Sequence, residues 1–190
     1  MWRYLTGPPW NACDHSTPSG TMTTMRPSTY LLVLSERKAV YWVLSQSRTA
    51  FVAGRESQAS RLEVGDVLLL YTTRGAWHNP TRDRGQIIGE ATVTGPPESF
   101  AHPIQVAGRE FSLGLCLDVD AVTPCRQGVD LAALVPQLSM FPNPNTWSVR
   151  LRTSLLHVPP ADHRLIRKRL RPLVQPLADA LPGYRKAAQI

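Results

Sequence analysis

Apolar and polar positions along this chain change their spacing several times, and each change predicts an element. Tyr30-Leu31-Leu32-Val33-Leu34 is a continuous apolar run, the pattern of a buried strand. Residues 38–47 set Val40, Val43 and Leu44 at helical spacing and predict a helix. Gly65-Asp66 ahead of Val67-Leu68-Leu69-Leu70-Tyr71 predicts a turn feeding a second strand. Residues 72–85 (TTRGAWHNPTRDRG) are polar and rich in turn formers, which predicts a long exposed loop. Residues 86–94 (QIIGEATVT) then predict the strand that closes this hairpin.

Gly95-Pro96-Pro97 ends that strand. Phe111, Leu113, Leu115, Leu117 and Val119 next alternate with polar or small residues, the clearest period-2 pattern in the chain. Asp130 is a candidate N-cap for a short helix through LAALV, stopped near Pro136. Trp147, Val149 and Leu151 alternate with Ser148, Arg150 and Arg152 and predict a further strand. Residues 162–170 predict a basic amphipathic helix with Leu165, Ile166 and Leu170 inward. Strands predominate, helices are short and no βαβ repeat occurs. The reading is α+β, a curved or barrel-like sheet with helices at its edges.

Residues 1–28 hold Gly7, Pro8, Pro9, Pro18, Gly20 and Pro27 without period 2 or 3.6, and read as a flexible tail. Pro172, Pro176, Pro182 and Gly183 break any long helix at the other end, so 172–190 read as a second tail. The working domain is then 29–171.

Composition adds the partner. The chain of 190 residues is 43% apolar and 18% charged, enough to bury a core. It carries a net charge of +7, which favours an anionic partner, nucleic acid first. Most cations are arginines, with Lys38, Lys168 and Lys186 the three lysines. Guanidinium forks suit phosphate and guanine, although a GC-rich genome yields the same bias. There is no apolar stretch of spanning length and no secretory pattern, which predicts a cytoplasmic protein without a membrane partner. Cys13, Cys116 and Cys125 show no CxxC spacing.

Candidate chemistry points to binding. The sequence lacks a GxSxG elbow, a P-loop, and HExxH or HxE…PCxxC metal signatures. His78, His102, His157 and His163 are scattered, so neither an enzyme nor a cofactor is expected. Trp42, Trp77, Trp147, Tyr71 and Phe141 fall near predicted turns or strand ends. Rings there can stack on nucleobases or simply pack the core. The run HRLIRKRLR at 163–171 can follow a phosphate backbone, or be a solvated helix face whose cations favour the C-terminal end of the dipole.

The order of YLLVL, SRLEVGDVLLLY, IIGEATVTGPP, VDLAALVPQLSMF, NTW and VPPADHRLIRKRL resembles the EVE domain family of the PUA-like superfamily, over about 30–171. The resemblance implies a pseudo-barrel of five to six mostly antiparallel strands with short flanking helices. It also implies a non-enzymatic module holding a flipped base, methylated or hydroxymethylated cytosine in DNA, in an aromatic pocket. YTH relatives instead hold methylated adenine in RNA. Ser35, Phe51, Tyr71, Phe141 and Trp147 are the base-pocket candidates. Arg74, Arg82, Arg84, Arg167 and Lys168 are the candidate phosphate contacts. Where relatives carry a Trp-Gly-Val-like run, this chain has Thr49-Ala50-Phe51-Val52, so either Phe51 stands for the ring or the pocket is altered or lost. The alternatives are an RNA- or tRNA-binding PUA-like module and a small-molecule sensor. A related ASCH-type enzyme would need a Lys/Thr/Glu constellation that this sequence does not display.

Overall fold

A computed structural model describes residues 27–190 apart from 53 and 107. The first half runs β1 (Thr29–Leu34), α1 (Arg37–Gln46), β2 (Arg48–Phe51), α2 (Glu56–Ala59), β3 (Val67–Thr72) and β4 (Gln86–Val93). It continues with β5 (Glu98–Val106), β6 (Arg109–Asp118), β7 (Ala121–Val122), β8 (Val129–Asp130) and α3 (Leu131–Leu134). The last part is β9 (Leu155–Val158), α4 (Pro160–Leu170), β10 (Gln175–Pro176) and α5 (Leu177–Ala188). Short 3-10 turns occupy Val135–Gln137 and Trp147–Arg152.

The strands join in a curled sheet whose central path is β9-β1-β3-β4. β1 and β3 are parallel, and the other pairings are antiparallel. β4 meets β8, β7 and β6 in turn along its outer side, and β6 carries β2 and β5. This divergence gives the sheet its half-barrel curl. The fold is thus α+β with short helices on a partly rolled sheet. Its strands number ten among the described residues, three of them only two residues long, against the five or six expected.

Period-2 geometry explains the apolar runs. Leu32, Leu34, Leu68 and Leu70 point to one cluster with Ile88 and with Val40, Val43 and Leu44 of α1. Leu31, Leu69 and Tyr71 point the other way, to Ile87, Phe141, Ile166 and Leu170. A strand covered on both faces needs apolar residues at every position. The register slips between Leu70–Gly89 and Tyr71–Ile87, leaving Ile88 as the extra residue of a bulge. Gly89 is required there, since a Cβ would lie 2.8 Å from Val122 Cγ1.

Several expectations are corrected. Residues 172–190 are not a tail: β10 pairs with β7, and α5 lies against α1 with Ala180, Tyr184 and Ala188 buried at i, i+4, i+8. Pro182 sits inside this helix and removes one hydrogen bond, but packing of the apolar stripe holds the turn. Residues 147–152 form a 3-10 turn, not a strand, because β9 already occupies the open edge of β1. β5 escaped the reading because it is mostly exposed and contains Pro103, as edge strands tolerate. The 1–28 segment lies almost wholly outside the described residues. Among the described residues, no helix is long and apolar enough to cross a membrane.

Candidate nucleic-acid interface

The five pocket candidates do not converge. Tyr71 and Phe141, each only 2% exposed, belong to one apolar cluster, and Trp147 packs half-buried against it. The Phe141 and Trp147 rings meet edge to face, with centroids 5.7 Å apart. Phe51 is buried in the cluster on the opposite face of the sheet, because β2 pairs with β6. Ser35 is exposed just beyond β1. The candidate set is therefore one packed aromatic trio and two remote residues, Phe51 and Ser35. A Cβ at Gly85 would overlap the Tyr71 hydroxyl, so that ring's outer end is walled by backbone.

Burial, reinforced by the Asp130 carboxylate, pushes the Tyr71 phenol up to about 12. The folded state binds this proton more tightly than the unfolded chain. The associated stability is therefore complete below pH 10 and lost as pH rises towards 12. Ultraviolet titration should show Tyr71 ionising near 12, and a Tyr71→Phe variant should lack that step. Ionisation near 10 would mean that solvent reaches the ring.

The 72–85 loop is polar, yet its Trp77 is 3% exposed. The ring packs against Tyr184 of α5 with centroids 5.9 Å apart, and the Arg126 guanidinium lies over it at 5.7 Å. Ala76-Trp77 was the one apolar pair in that loop, and it marked an anchor. Of the loop cations, Arg74 donates to the Pro80 carbonyl and Arg84 pairs with Asp130 at 2.8 Å. Arg82 is exposed, with no ion pair among the described residues.

α4 is the more organised basic element. Asp162 in its first turn faces inward and is 3% exposed. Its Oδ1 accepts from the Ser139 amide and hydroxyl, both at 3.0 Å, and its Oδ2 from the Met140 amide at 2.7 Å. With Ile166 and Leu170 it forms the inner stripe, leaving Arg164, Arg167, Lys168 and Arg169 exposed, followed by Arg171. Three of these cations occupy the last helical turn, where the dipole favours them.

One histidine is not scattered after all. His163 Nε2 lies 2.8 Å from Glu90 Oε1, and Arg167 Nε lies 3.4 Å from Glu90 Oε2. A carboxylate oxygen accepts, so Nε2 carries a proton towards Glu90, while Nδ1 on the other side of the ring lies 3.3 Å from the Thr29 hydroxyl. The order Thr29–His163–Glu90 has the outline of a nucleophile, a base and its orienter. Thr29 is buried, however, and its hydroxyl is turned to the imidazole, so the network pins α4 to β4. Glu90 lies within the GEATVT strand, but its pairing with His163 spans 73 positions and left no local signal.

Beside this network a cleft of about 320 Å³ opens between α4 and the sheet. Val67, Asp118 and Asp120 belong to its sheet wall, and Arg167, Leu170 and Arg171 to its helix wall.

Fold and site together define a compact α+β module with a cationic helix above a polar cleft. The sequence matches no family model and no curated protein. Among solved structures, a Rhodopseudomonas palustris protein determined by NMR is 18% identical, with a TM-score of 0.47 over 77% of this chain and 94% of that one. Human THYN1, solved with DNA containing 5-methylcytosine, is 12% identical, with a TM-score of 0.46 over 74% and 96%. The apo Toxoplasma CPSF4-YTH domain is 14% identical, with a TM-score of 0.45 over 80% and 92%.

Proposed function

We propose that this chain is a nucleic-acid-binding module without catalytic activity, and that it reads a modified base. The observation that carries the reading is the α4 ridge. Residues 164–171 hold five cations and no acid, and only Arg167 has a carboxylate partner among the described residues. Unpaired, helix-mounted guanidinium and ammonium groups neutralise phosphates and release counterions. The EVE-like sequence pattern supplies the modified base, with methylated or hydroxymethylated cytosine in DNA as the first choice. Trp147, the one ring of the aromatic trio not fully buried, is the candidate for stacking on it.

Substituting Arg164, Lys168 and Arg169 together by Gln should reduce the slope of log affinity against log salt by about 2 to 3. Unmodified and modified strands should lose affinity alike, since phosphate contacts carry no base information. Fluorescence anisotropy with 5-methylcytosine, cytosine and ribo-oligonucleotides at several salt concentrations measures both effects. A steady preference for the ribo strand would favour the RNA-binding alternative through the 2′-hydroxyl. Binding insensitive to salt would refute the ridge as a phosphate track.

A further inference from the structure

The cleft beneath α4 has a charge pattern that its own packing does not consume. On the sheet wall, Asp118 ends β6 and Asp120 precedes β7, and both are exposed. Neither carboxylate has a hydrogen-bond or ion-pair partner among the described residues. On the facing wall Arg171 lines the same cleft and also lacks a side-chain partner. Glu90 differs, because its Oε1 already accepts from His163 and its Oε2 is ion-paired with Arg167 at 3.4 Å. Asp118, Asp120 and Arg171 therefore share one cavity without neutralising one another, and Val67, Leu170 and Val174 give it an apolar part.

The geometry points to a mononucleotide unit whose base bears an exocyclic amino group: its phosphate on Arg167 and Arg171, its amino edge on Asp118 and Asp120. The choice of a nucleotide rests on the nucleic-acid reading above; the amino preference comes from the cleft itself. The volume of about 320 Å³ is at the small end of ligand pockets, in keeping with one nucleotide. Ionised carboxylates only accept, so they suit the N4 amino group of cytosine or the N6 amino group of adenine. A keto oxygen at the same place would face them acceptor to acceptor, a repulsion that rejects uracil and hypoxanthine. The same carboxylates repel phosphate from the sheet wall, which fixes the orientation. Arg167 and Arg171 belong both to the ridge and to the cleft, so a strand held on α4 can turn one base inward without leaving its phosphate contacts.

The test uses isosteric pairs, cytidine against uridine monophosphate and adenosine against inosine monophosphate, titrated calorimetrically into the full chain. The amino member of each pair should bind about tenfold more tightly. In an Asp118→Asn, Asp120→Asn variant that preference should vanish, because an amide offers donor and acceptor alike. Both positions are exposed, so the thermal midpoint should not move. Arg171→Ala should weaken all four nucleotides equally. Equal affinities within both pairs, or a preference that survives in the double variant, would overturn the inference. Salt-dependent oligonucleotide binding alongside such a result would leave the ridge reading standing. Amino-selective nucleotide binding without oligonucleotide binding would instead overturn the polymer reading and keep the cleft.

Discussion

Removing residues 172–190 is expected to abolish cooperative folding, although the sequence pattern marks them as a tail. The segment contributes Tyr184, fully buried, and sets Leu177, Leu181 and Ala187 against the cluster that includes α1 and Trp77. The Tyr184 hydroxyl also donates to the Thr123 carbonyl at 3.0 Å. Tyr184→Ala isolates the ring and should cost ~3–5 kcal/mol, the range for truncating a large buried aromatic. For a chain of this length that is a fall in Tm on the order of 10 °C. Tyr184→Phe removes only the hydrogen bond and should cost ~1 kcal/mol. Thermal denaturation of the three variants checks the order. A truncated chain that melts with the parent would show that the packing of α5 contributes nothing to stability.

Asp162→Ala should be similarly damaging, for a different reason. Three donors, the Ser139 amide and hydroxyl and the Met140 amide, converge on one buried carboxylate. Hydrogen bonds to a charged group are worth ~1.5–3 kcal/mol each, and the stranded amides add desolvation costs. After the chain relaxes around the site, a net loss of ~4 kcal/mol is expected. Asp162→Asn preserves the volume but turns an amide NH2 towards at least one of those donors. It should therefore recover only part of the loss, since one oxygen can still accept from the Ser139 amide and hydroxyl while the Met140 amide faces the NH2. Chemical denaturation of the two variants separates the readings: if Asn restores parental stability, one acceptor oxygen is enough and the three-donor account fails.

These two residues show where sequence reading stops. The pattern at 162–170 starts a basic amphipathic helix at Asp162 and marks only Leu165, Ile166 and Leu170 as inward. The spacing of Asp162 with Ile166 and Leu170 at i, i+4, i+8 was the available sign that it faces inward. A carboxylate on an apolar stripe needs donors, and these come from residues 22 and 23 positions earlier. Tyr184 sits among Pro182, Gly183 and charged residues, a context that reads as helix-breaking. Only the cluster across α1 supplies the free energy to hold the helix through Pro182. The pocket candidates met the same limit: the resemblance singled out Ser35, Phe51, Tyr71, Phe141 and Trp147, but chain order does not say on which side of the sheet each falls. β2 pairing with β6 carried Phe51 to the face opposite Tyr71.

Much of the framework was nevertheless local. The runs at 30–34 and 67–71 are β1 and most of β3, since strands covered on both faces need apolar residues throughout. Val40, Val43 and Leu44 are the buried stripe of α1, and Asp130 Oδ1 accepts from the Ala132 amide as an N-cap does. The basic face of α4 was also legible, because a helix sorts its residues by period alone. These features depend on neighbours within a few positions, which the sequence by itself determines. The His163–Glu90–Arg167 network, the inward Asp162, the two opposed clusters and the unpaired charges of the cleft depend on which strands and helices meet. Tertiary structure alone decides that, because contacts between distant segments are chosen by competition over the whole chain and leave no periodic trace in it.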